Sequence, residues 1–591
     1  MQAGVARGMT AIRSSSTGLL VLALVVGAGA GGGAVVFRWL IRQFTLLLSG
    51  HSDYSAAGHA ANPHVPGLGR WFALLAPVVA GLVYGPLVHF FAREARGHGV
   101  PEVMYAVARR GGRIAPQVAA VKALASALCI GGGGSVGREG PIVQIGSALG
   151  STVGSIVRVA EARMRVLVAC GAAGGIAATF NAPLAGVFFA MELILRDFAA
   201  QSFGMVVLAS VTASVIGRAA FGNQPFLHLP AFTVQHPVDY ALFAALGVAA
   251  GVIGVVFTRV LYLIEDGCDI VWRGPEWARP AVGGLLLGGL LLVLPQMYGV
   301  GYPVLSRSVA GGYAIGFLLA LLAGKIVATS LTIGIGGSGG VFAPSLFIGA
   351  MSGAAYGQAL HHLVPSLAGQ PGAYALIGMG AVFAGAARAP ITAVIILFEL
   401  TGDYAIILPL MAAIVLAAGV SHLLSTDTIY TLKLRRRGID LETRPTASQL
   451  ASTVVGAIVT PVADTVPGST ALLEVVPLLA QGGHGLLPVT SQDGAFVGVV
   501  TARGLAEALA DGEHDTAPVA SLVEELPAVT TATTLDDALD ELDAAGGTAL
   551  PVFDELRENF VGWLNLQGVL GVLRPRAAQS PSPETLGSVA S

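Results

Sequence analysis

Glu139 is a lone carboxylate inside a long apolar stretch, and its flanking residues have the types that bind an anion. Residues 137–141 read GREGP, and residues 340–344 read GVFAP, at an offset of 203. Each motif follows a glycine-rich run and places a proline where a helix could begin. Helix N-termini bind anions through their free backbone N–H groups, and glycine lets that backbone come close to a ligand. The pattern predicts two anion-binding helix N-termini, one of which carries a carboxylate that can take up a proton.

A second pair of motifs indicates that the chain contains an internal repeat. Residues 181–183 read NAP and residues 388–390 read RAP, and a glutamate follows nine residues after each proline, at Glu192 and Glu399. Repeats with glycine- and proline-interrupted apolar segments are typical of membrane transporters whose site lies where the two halves meet. The alternative is that the glycines serve close helix packing. Glu192 and Glu399 are interpreted as structural caps or as members of ion pairs.

The composition excludes a soluble enzyme of this size. The chain has 591 residues, of which 54% are hydrophobic and only 11% are charged, and its mean hydropathy is +0.74. Soluble proteins carry about 25% charged residues. Long apolar runs predict membrane-spanning helices at 19–37, 71–91, 241–258, 281–300 and 405–420, and shorter glycine-broken segments predict half-spanning helices. The glycine runs do not form a phosphate-binding loop, because no GxxxxGK[ST] pattern is present.

The charge distribution divides the chain into a basic membrane part and an acidic soluble part. From Ala451 onward there are 4 Arg, no Lys and 18 acidic residues, a net charge of −14, whereas the rest of the chain carries +11. Three consecutive arginines from Arg435 follow the last apolar run and predict that everything after them is cytoplasmic. The scattered basic residues and the acidic C-terminal part predict no nucleic-acid partner.

The C-terminal part contains two related units. GGHGLLP at 482–488 and GGTALP at 546–551 each lead into a short apolar strand, and glycine-led strands at 497–501 and 561–565 each run into a helix. This pattern resembles a tandem pair of cystathionine-β-synthase (CBS) modules, which are α/β units. The predicted organisation is a membrane domain at 1–440, a linker at 441–454, modules at 455–512 and 513–573, and a disordered tail at 574–591.

The membrane part resembles the CLC family of chloride channels and chloride/proton antiporters. Four motifs stand in order: GHGVP at 97–101 for the family's GSGIP, GREGP at 137–141, GVFAP at 340–344 for GxFxP, and a tyrosine, Tyr430, after the last span. The resemblance implies an all-α polytopic membrane domain with inverted repeats and half-spanning helices. It further implies a homodimer in a bacterial-type cell membrane, with one anion pathway in each subunit. No enzymatic activity is expected.

The resemblance also assigns roles to individual residues. Glu139 is expected to be the gating glutamate, which occupies an anion position and swings aside when it is protonated; the alternative is a structural ion pair with Arg138. Tyr430 is expected to present its hydroxyl to the inner end of the chloride path; the alternative is an ordinary membrane-interface tyrosine. The remaining predicted chloride-binding residues are His98, Arg138, Gly140, Val341, Phe342 and Ala343.

Three positions depart from the family pattern. His98 replaces the serine of GSGIP, and its imidazole either donates an N–H to the anion or points away from it. Leu193 stands where antiporters have a second glutamate that takes protons from the inside, and Met104 lacks a nearby acid of the same pattern. The sequence therefore predicts passive, Glu139-gated chloride conduction. The alternative is chloride/proton exchange through an inner path that does not need the usual glutamate.

No cofactor is expected besides chloride as a bound ligand and protons. CBS modules that bind adenine nucleotides usually carry an aspartate after a Thr/Ser in T-x-x-D. The corresponding segments begin at Thr501 and Asn565 and end in Gly504 and Gly568. The missing carboxylate predicts weak or absent nucleotide binding, which leaves a role in dimerisation or gating. A protein in which the CBS pair is the primary sensor is a third class of function, and it lacks a clear ligand site.

Overall fold

The computed structural model of the chain describes residues 15–223, 238–365, 369–439, 450, 453–461, 465–481, 485–510, 517–545 and 549–573. It divides into two compact units, Met1–Asp440 and Leu441–Ser591. Most of the predicted linker, both predicted glycine pairs and the whole tail at 574–591 lie outside the described residues.

The described part of the first unit is helical. Among its helices, eight are long and apolar enough to cross a membrane by length and composition. The helices are α1 (Ser16–Ser49), α2 (Phe72–Phe91), α3 (Val100–Arg109), α4 (Gln117–Gly131), α5 (Glu139–Val157), α6 (Glu161–Phe180), α7 (Pro183–Phe189), α8 (Ala200–Phe221), α9 (Val238–Val271), α10 (Arg279–Val293), α11 (Tyr302–Val309), α12 (Ile315–Gly334), α13 (Phe342–Leu363), α14 (Pro371–Ala387), α15 (Pro390–Thr401), α16 (Ile407–Leu424) and α17 (Thr431–Arg436).

One predicted span ends earlier than its apolar run. The sequence predicts a span over 281–300, but α10 ends at Val293, and a 3-10 turn follows at Pro295–Met297. Pro295 is responsible, because proline has no N–H to donate and its ring clashes with the preceding helical turn. The structure thus breaks this segment just before the loop that leads to α11.

Several glycine-rich segments form continuous helices of nineteen or more residues. They include α5 and α6 in the first half and α13 in the second half. Their glycines are contact points: a Cβ on Gly146 in α5 would collide with the carbonyl oxygen of Gly171 in α6, and one on Gly349 in α13 would collide with that of Gly378 in α14. Close backbone contact offsets the low helix propensity of glycine.

The second unit contains two small sheets with helices packed on them. Its strands are β1 (Thr460–Pro461), β2 (Val466–Pro467), β3 (Leu486–Thr490), β4 (Phe496–Thr501), β5 (Val529–Thr530), β6 (Ala549–Phe553) and β7 (Phe560–Asn565). Its helices are α18 (Leu472–Gln481), α19 (Ala502–Ala510), α20 (Leu535–Ala544) and α21 (Leu566–Leu573). The strand orders are β1-β7-β6-β5 and β2-β3-β4.

The sheets cross the predicted boundary between the modules at 512/513. Strand β1 lies in the first predicted module but pairs antiparallel with β7 of the second, in the register Thr460 to Trp563. Conversely, Glu524 of the second module forms an antiparallel bridge with Val499 in β4 of the first. The hydrophobic cores follow the same exchange, because Val455 packs with Val529 while Val519 packs with Val466. The two modules therefore exchange strands and core residues across the predicted boundary.

Candidate functional site

Three glycine-containing loops meet at the point where the two halves of the first unit come together. Gly137 and Gly340 exchange two backbone hydrogen bonds: the N–H of Gly137 donates to the carbonyl of Gly340 at 2.7 Å, and the reverse bond is 2.6 Å. The third loop joins through Gly97, whose N–H donates to the carbonyl of Gly337 at 3.0 Å and whose carbonyl accepts from Gly339 at 3.3 Å. The motifs that were predicted to form one site are therefore brought together.

Glycine is required where these loops touch. A Cβ on Gly140 would collide with the carbonyl oxygen of His98 and would lie 2.9 Å from the Cα of Gly340. Gly99 has φ +85°, a left-handed conformation that favours glycine, and helix α3 begins immediately after it. Helices α5 and α13 begin at Glu139 and Phe342. Three helix N-termini thus start within a few residues of the loop contacts, where their free N–H groups can face an anion.

Glu139 belongs to the first half of the chain, and its side chain contacts residues of the second half. Its side chain is 1% exposed. Oε2 accepts a hydrogen bond from the backbone N–H of Ala343 at 3.3 Å, in the first turn of α13. Oε1 accepts a hydrogen bond from the hydroxyl of Tyr302 at 2.6 Å. The carboxylate therefore lies on one of the backbone amides that the sequence assigns to anion binding.

Aromatic rings surround the cation next to this carboxylate. The guanidinium of Arg138 lies 5.0 Å from the ring centroid of Tyr302 and 5.8 Å from that of Phe180. Phe180 and Phe342 are in contact, with ring centroids 5.8 Å apart. Val341, Phe342 and Ala343 are buried, with exposed fractions of 1 to 2%. The guanidinium of Arg138 is thus packed against aromatic rings beside Glu139.

His98 is fully buried and stacks on an aromatic ring. Its imidazole lies 6.2 Å from the ring centroid of Tyr262 with an interplanar angle of 23°. In the part of the chain that the structure describes, neither ring nitrogen has a hydrogen-bond partner. The hydroxyl of Tyr262 donates to the carbonyl of Ile429 at 2.7 Å, directly before the predicted chloride-path residue Tyr430, which is 1% exposed. A buried imidazole with unused nitrogens has donor capacity for a ligand.

Tyr262 also lines a polar cavity of about 440 Å³. Six basic side chains line this cavity, including Lys433, Arg436 and Arg437. Its four acidic side chains are Glu265, Asp266, Asp269 and Glu276. Glu265 is the least exposed of these acids, at 18%, and lies 3.7 Å from the ammonium of Lys433. The cavity can attract anions through its basic residues and can exchange protons through its acids.

Two buried lysines donate hydrogen bonds to carbonyls of the loops, and neither lysine was predicted from the sequence. The ammonium of Lys122 donates to the carbonyls of Ala95 and Gly97 at 2.9 and 2.8 Å. The ammonium of Lys325 donates to the carbonyls of Gly299 and Val300 at 3.2 and 3.1 Å, as well as to a serine hydroxyl. The two lysines are 203 residues apart, the same offset as the GREGP and GVFAP motifs. That offset is the signal that could have identified them.

Tyr302 was also missed, although a repeat signal marks it. Residues 299–303 read GVGYP and lie 202 residues after GHGVP at 97–101. Gly301 has φ +88°, close to the +85° of Gly99, and α11 begins at Tyr302 as α3 begins at Val100. Extending the repeat to this motif would have placed Tyr302 near the other loops.

Glu192 and Glu399 are structural caps that the two halves exchange. Glu192, in the π-helical turn after α7, accepts from the N–H groups of Ile391 and Thr392 at the start of α15, at 3.1 and 2.8 Å. Glu399, in α15, accepts from those of Leu184 and Ala185 at the start of α7, at 3.0 and 2.7 Å. Leu193 follows Glu192 and is buried at 6% exposure. Carboxylates at helix N-termini are favourable because they satisfy free N–H groups.

In the second unit, the segments compared with a nucleotide site are helix caps. The N–H of Gly504 donates to the hydroxyl of Thr501 at 2.9 Å, and the N–H of Gly568 donates to the side-chain oxygen of Asn565 at 2.6 Å. The Thr501 hydroxyl also donates to Glu524 at 3.2 Å. The side chains of Thr501 and Asn565 therefore act as N-caps of α19 and α21.

Comparison with known proteins agrees with this geometry. A family model described as voltage gated chloride channel matches residues 80–422, and a CBS domain model matches residues 455–511. A putative chloride channel protein ClcB-like from Ralstonia nicotianae is 32% identical over 436 residues, which cover 73% of this chain and all of that protein. The H(+)/Cl(-) exchange transporter ClcA of Vibrio parahaemolyticus is 37% identical, over 62% of this chain and 80% of that protein.

A solved structure supports the same assignment. The slow cyanobacterial Cl-/H+ antiporter superimposes with a TM-score of 0.62 at 27% identity, over 72% of this chain and 99% of that one. The family model covers more than half of the chain, and the relatives and the fold agree with it. The chain is therefore a multi-pass membrane protein of the CLC family of chloride transport proteins, with CBS sequence in its C-terminal part.

Proposed function

We propose that this protein is a chloride/proton antiporter in which Glu139 is both the gate and the outer proton station. The observation that carries the proposal is the contact between the Glu139 carboxylate and the N–H of Ala343. A carboxylate on an anion-binding amide competes with chloride for it. Protonation removes its charge, weakens the contact and frees the amide for the anion. Proton uptake and chloride entry are thereby linked at one position.

Backbone amides suit the transported anion because they bind it without a full positive charge. An anion held by partial charges at helix N-termini can still leave, which transport requires. We place chloride at the amides of Gly140, Val341, Phe342 and Ala343, with His98 and Tyr430 towards the cavity side. The unused ring nitrogens of His98 supply a donor where the family has a serine hydroxyl.

Exchange is preferred over the passive conduction that the sequence alone favours. The ClcA relative is named as an H(+)/Cl(-) exchange transporter, and the cyanobacterial structure is named as a Cl-/H+ antiporter. ClcA is 37% identical to this chain, whereas the ClcB-like relative is 32% identical. The ClcB-like relative is named as a putative chloride channel. Leu193 and Met104 each lack an acid of the antiporter pattern, but the polar cavity offers other acids. The loss of a glutamate at 193 is therefore no obstacle to exchange.

Glu265 is the best-placed inner proton acceptor among the cavity acids. Its Oε2 atom is buried without a hydrogen-bond partner among the described residues, whereas Asp266 makes two bonds to Arg436, at 2.5 and 3.0 Å. Glu265 stands one helical turn from Tyr262, which lines the cavity and stacks on His98. We propose that protons enter from the cytoplasmic cavity by way of Glu265 and water. As in other members of the family, we expect a homodimer in the lipid bilayer, with one anion pathway in each subunit.

The decisive experiment measures proton movement in proteoliposomes under a chloride gradient with the membrane voltage controlled. The intact protein is expected to drive protons uphill, and Glu139→Gln is expected to abolish this movement while chloride flux continues without its dependence on pH. Chloride flux with no uphill proton movement in the intact protein would restore passive conduction. A Glu139→Gln protein that keeps the parent's pH profile would remove Glu139 from the gate.

A further inference from the structure

Tyr302 lies outside the recognised motifs, and its side chain holds the Glu139 carboxylate through a hydrogen bond. Its hydroxyl donates to Oε1 at 2.6 Å, while the N–H of Ala343 donates to Oε2 at 3.3 Å. The carboxylate thus has one oxygen on the anion-binding amide and the other on the tyrosine. Of the two bonds, that from Tyr302 is shorter, as expected for a hydroxyl that donates to an ionised oxygen.

The position of Tyr302 is fixed by the backbone and by its neighbours. It is the first residue of α11, it follows Gly301 at φ +88°, and Pro303 comes next, so the local backbone has little freedom. The guanidinium of Arg138 lies 5.0 Å from its ring centroid. A phenol held in this way can donate to Glu139 without first losing much rotational freedom.

We propose that Tyr302 is a positioning residue that holds the ionised Glu139 on the anion site and thereby sets the pH at which chloride enters. This inference rests on the proposed function, because it assumes that Glu139 is the gate. A hydroxyl that donates to a carboxylate stabilises its ionised form, so the gate closes more firmly while Tyr302 is present. With Tyr302 present, Glu139 takes up a proton only at lower pH, so chloride entry begins at lower pH.

Other charged and titratable groups also act on Glu139. Arg138 is adjacent in sequence, and Lys325 and Tyr430 lie within electrostatic range of the carboxylate. Arg38 faces Arg138 and Tyr302. Replacing only the Tyr302 hydroxyl leaves all four of these groups in place. A change in pH response can then be attributed to the lost hydroxyl, which interacts with Glu139 and with Arg138.

Tyr302→Phe tests the inference because it removes the hydroxyl and keeps the ring beneath Arg138. Chloride flux from proteoliposomes should be measured across pH, and its midpoint is expected to move by about one to two pH units towards alkaline values. The matched control is Tyr298→Phe, which removes a buried hydroxyl that donates to the carbonyl of Gly131 at 2.7 Å instead. The control should keep the parent's midpoint.

A second measurement does not depend on transport. Chloride titration of the purified protein by calorimetry at neutral pH should show tighter binding to Tyr302→Phe, by about tenfold, because the carboxylate competes less well for the amide. An unchanged midpoint together with unchanged chloride affinity would overturn the inference. So would a change in chloride affinity of the same size when Tyr302→Phe is added to Glu139→Gln, where no carboxylate is left for the hydroxyl to hold.

The two proposals fail in different ways. If Glu139→Gln loses the pH dependence but Tyr302→Phe matches the parent, the gate stands and the role of Tyr302 is wrong. If Glu139→Gln keeps the parent's pH profile, the gate itself is wrong, whatever Tyr302→Phe does.

Discussion

The two repeats of the membrane unit share a scaffold but differ in the side chains they bring to the site. In both, a buried lysine binds the carbonyls of a GxGxP loop, namely Lys122 in the first repeat and Lys325 in the second. Each repeat also contributes a glutamate that caps a helix of the other. These features are duplicated because both halves must bring helix N-termini to a common point.

The chemical groups are not duplicated. Glu139 corresponds to Phe342 at the repeat offset of 203, and Tyr302 corresponds to Val100 at an offset of 202. The first repeat thus supplies the carboxylate, and the second supplies both the amide and the hydroxyl that hold it. A symmetric framework can therefore carry an asymmetric site, with a proton-binding group on one half and the groups that hold it on the other.

The largest expected effect concerns the shared helix contacts. Gly146→Ala and Gly349→Ala should each destabilise the protein by about 3 kcal/mol or more, because each new Cβ would collide with a carbonyl oxygen of a neighbouring helix. Thermal unfolding of the purified protein would measure both. Equal losses are expected if the repeats share one scaffold.

Gly289→Ala is the matched control for these substitutions. Gly289 also lies in a helix, but a Cβ there would meet no atom within 4 Å. This variant should unfold within about 1 kcal/mol of the parent. A large loss at only one of Gly146 and Gly349 would show that the two halves pack differently.

The exchanged caps should give the next largest effect. Glu192→Gln and Glu399→Gln should each cost about 1.5–3 kcal/mol of stability, because an amide side chain replaces a charged acceptor of two backbone N–H groups. Glu161→Gln, which loses an exposed ion pair with Arg165, should cost less than about 1 kcal/mol. Chemical or thermal unfolding would rank the three, and an outcome in which Glu161 matters most would contradict the cap assignment.

The smallest effect tests the inner side of the site. Glu265→Gln should lower uphill proton movement by about tenfold, or about 1.4 kcal/mol in the barrier, while chloride flux persists. Asp266→Asn, on the same helix and cavity wall, should leave the proton-to-chloride ratio unchanged. Loss of chloride and proton transport together in Glu265→Gln would indicate a structural role.

The motifs predicted the helix starts at the candidate site well because each one encodes a local backbone feature. A glycine before a proline specifies a loop that begins a helix, and GHGVP, GREGP and GVFAP do begin α3, α5 and α13 at that point. The function of Glu192 and Glu399 was left open between caps and ion pairs, and the hydrogen bonds decide for caps. The CLC family and the all-α membrane architecture, with an α/β C-terminal part, were likewise predicted correctly.

The rest depends on contacts between residues that are far apart in sequence. Nothing local to Tyr302 indicates that its hydroxyl meets Glu139, 163 residues away. Glycines inside α5 and α13 lower helix propensity locally, and the close contacts of these helices with α6 and α14 cannot be deduced from the local sequence. The exchange of strands in the second unit was missed because both modules have the same strand pattern, and a local pattern does not specify the partner strand.

The pairing of β1 with a strand of the second module affects how the second unit folds during translation. Strand β1 at Thr460 pairs with Trp563, about one hundred residues later. A ribosome that adds roughly 5–20 residues per second needs several seconds to reach that partner, and the backbone groups of β1 stay unpaired meanwhile. The first module therefore cannot be finished as soon as it emerges. Translation of the second module completes the sheet β1-β7-β6-β5, and a chain truncated between the modules would leave β1 without its partner strand and open to chaperones or proteases.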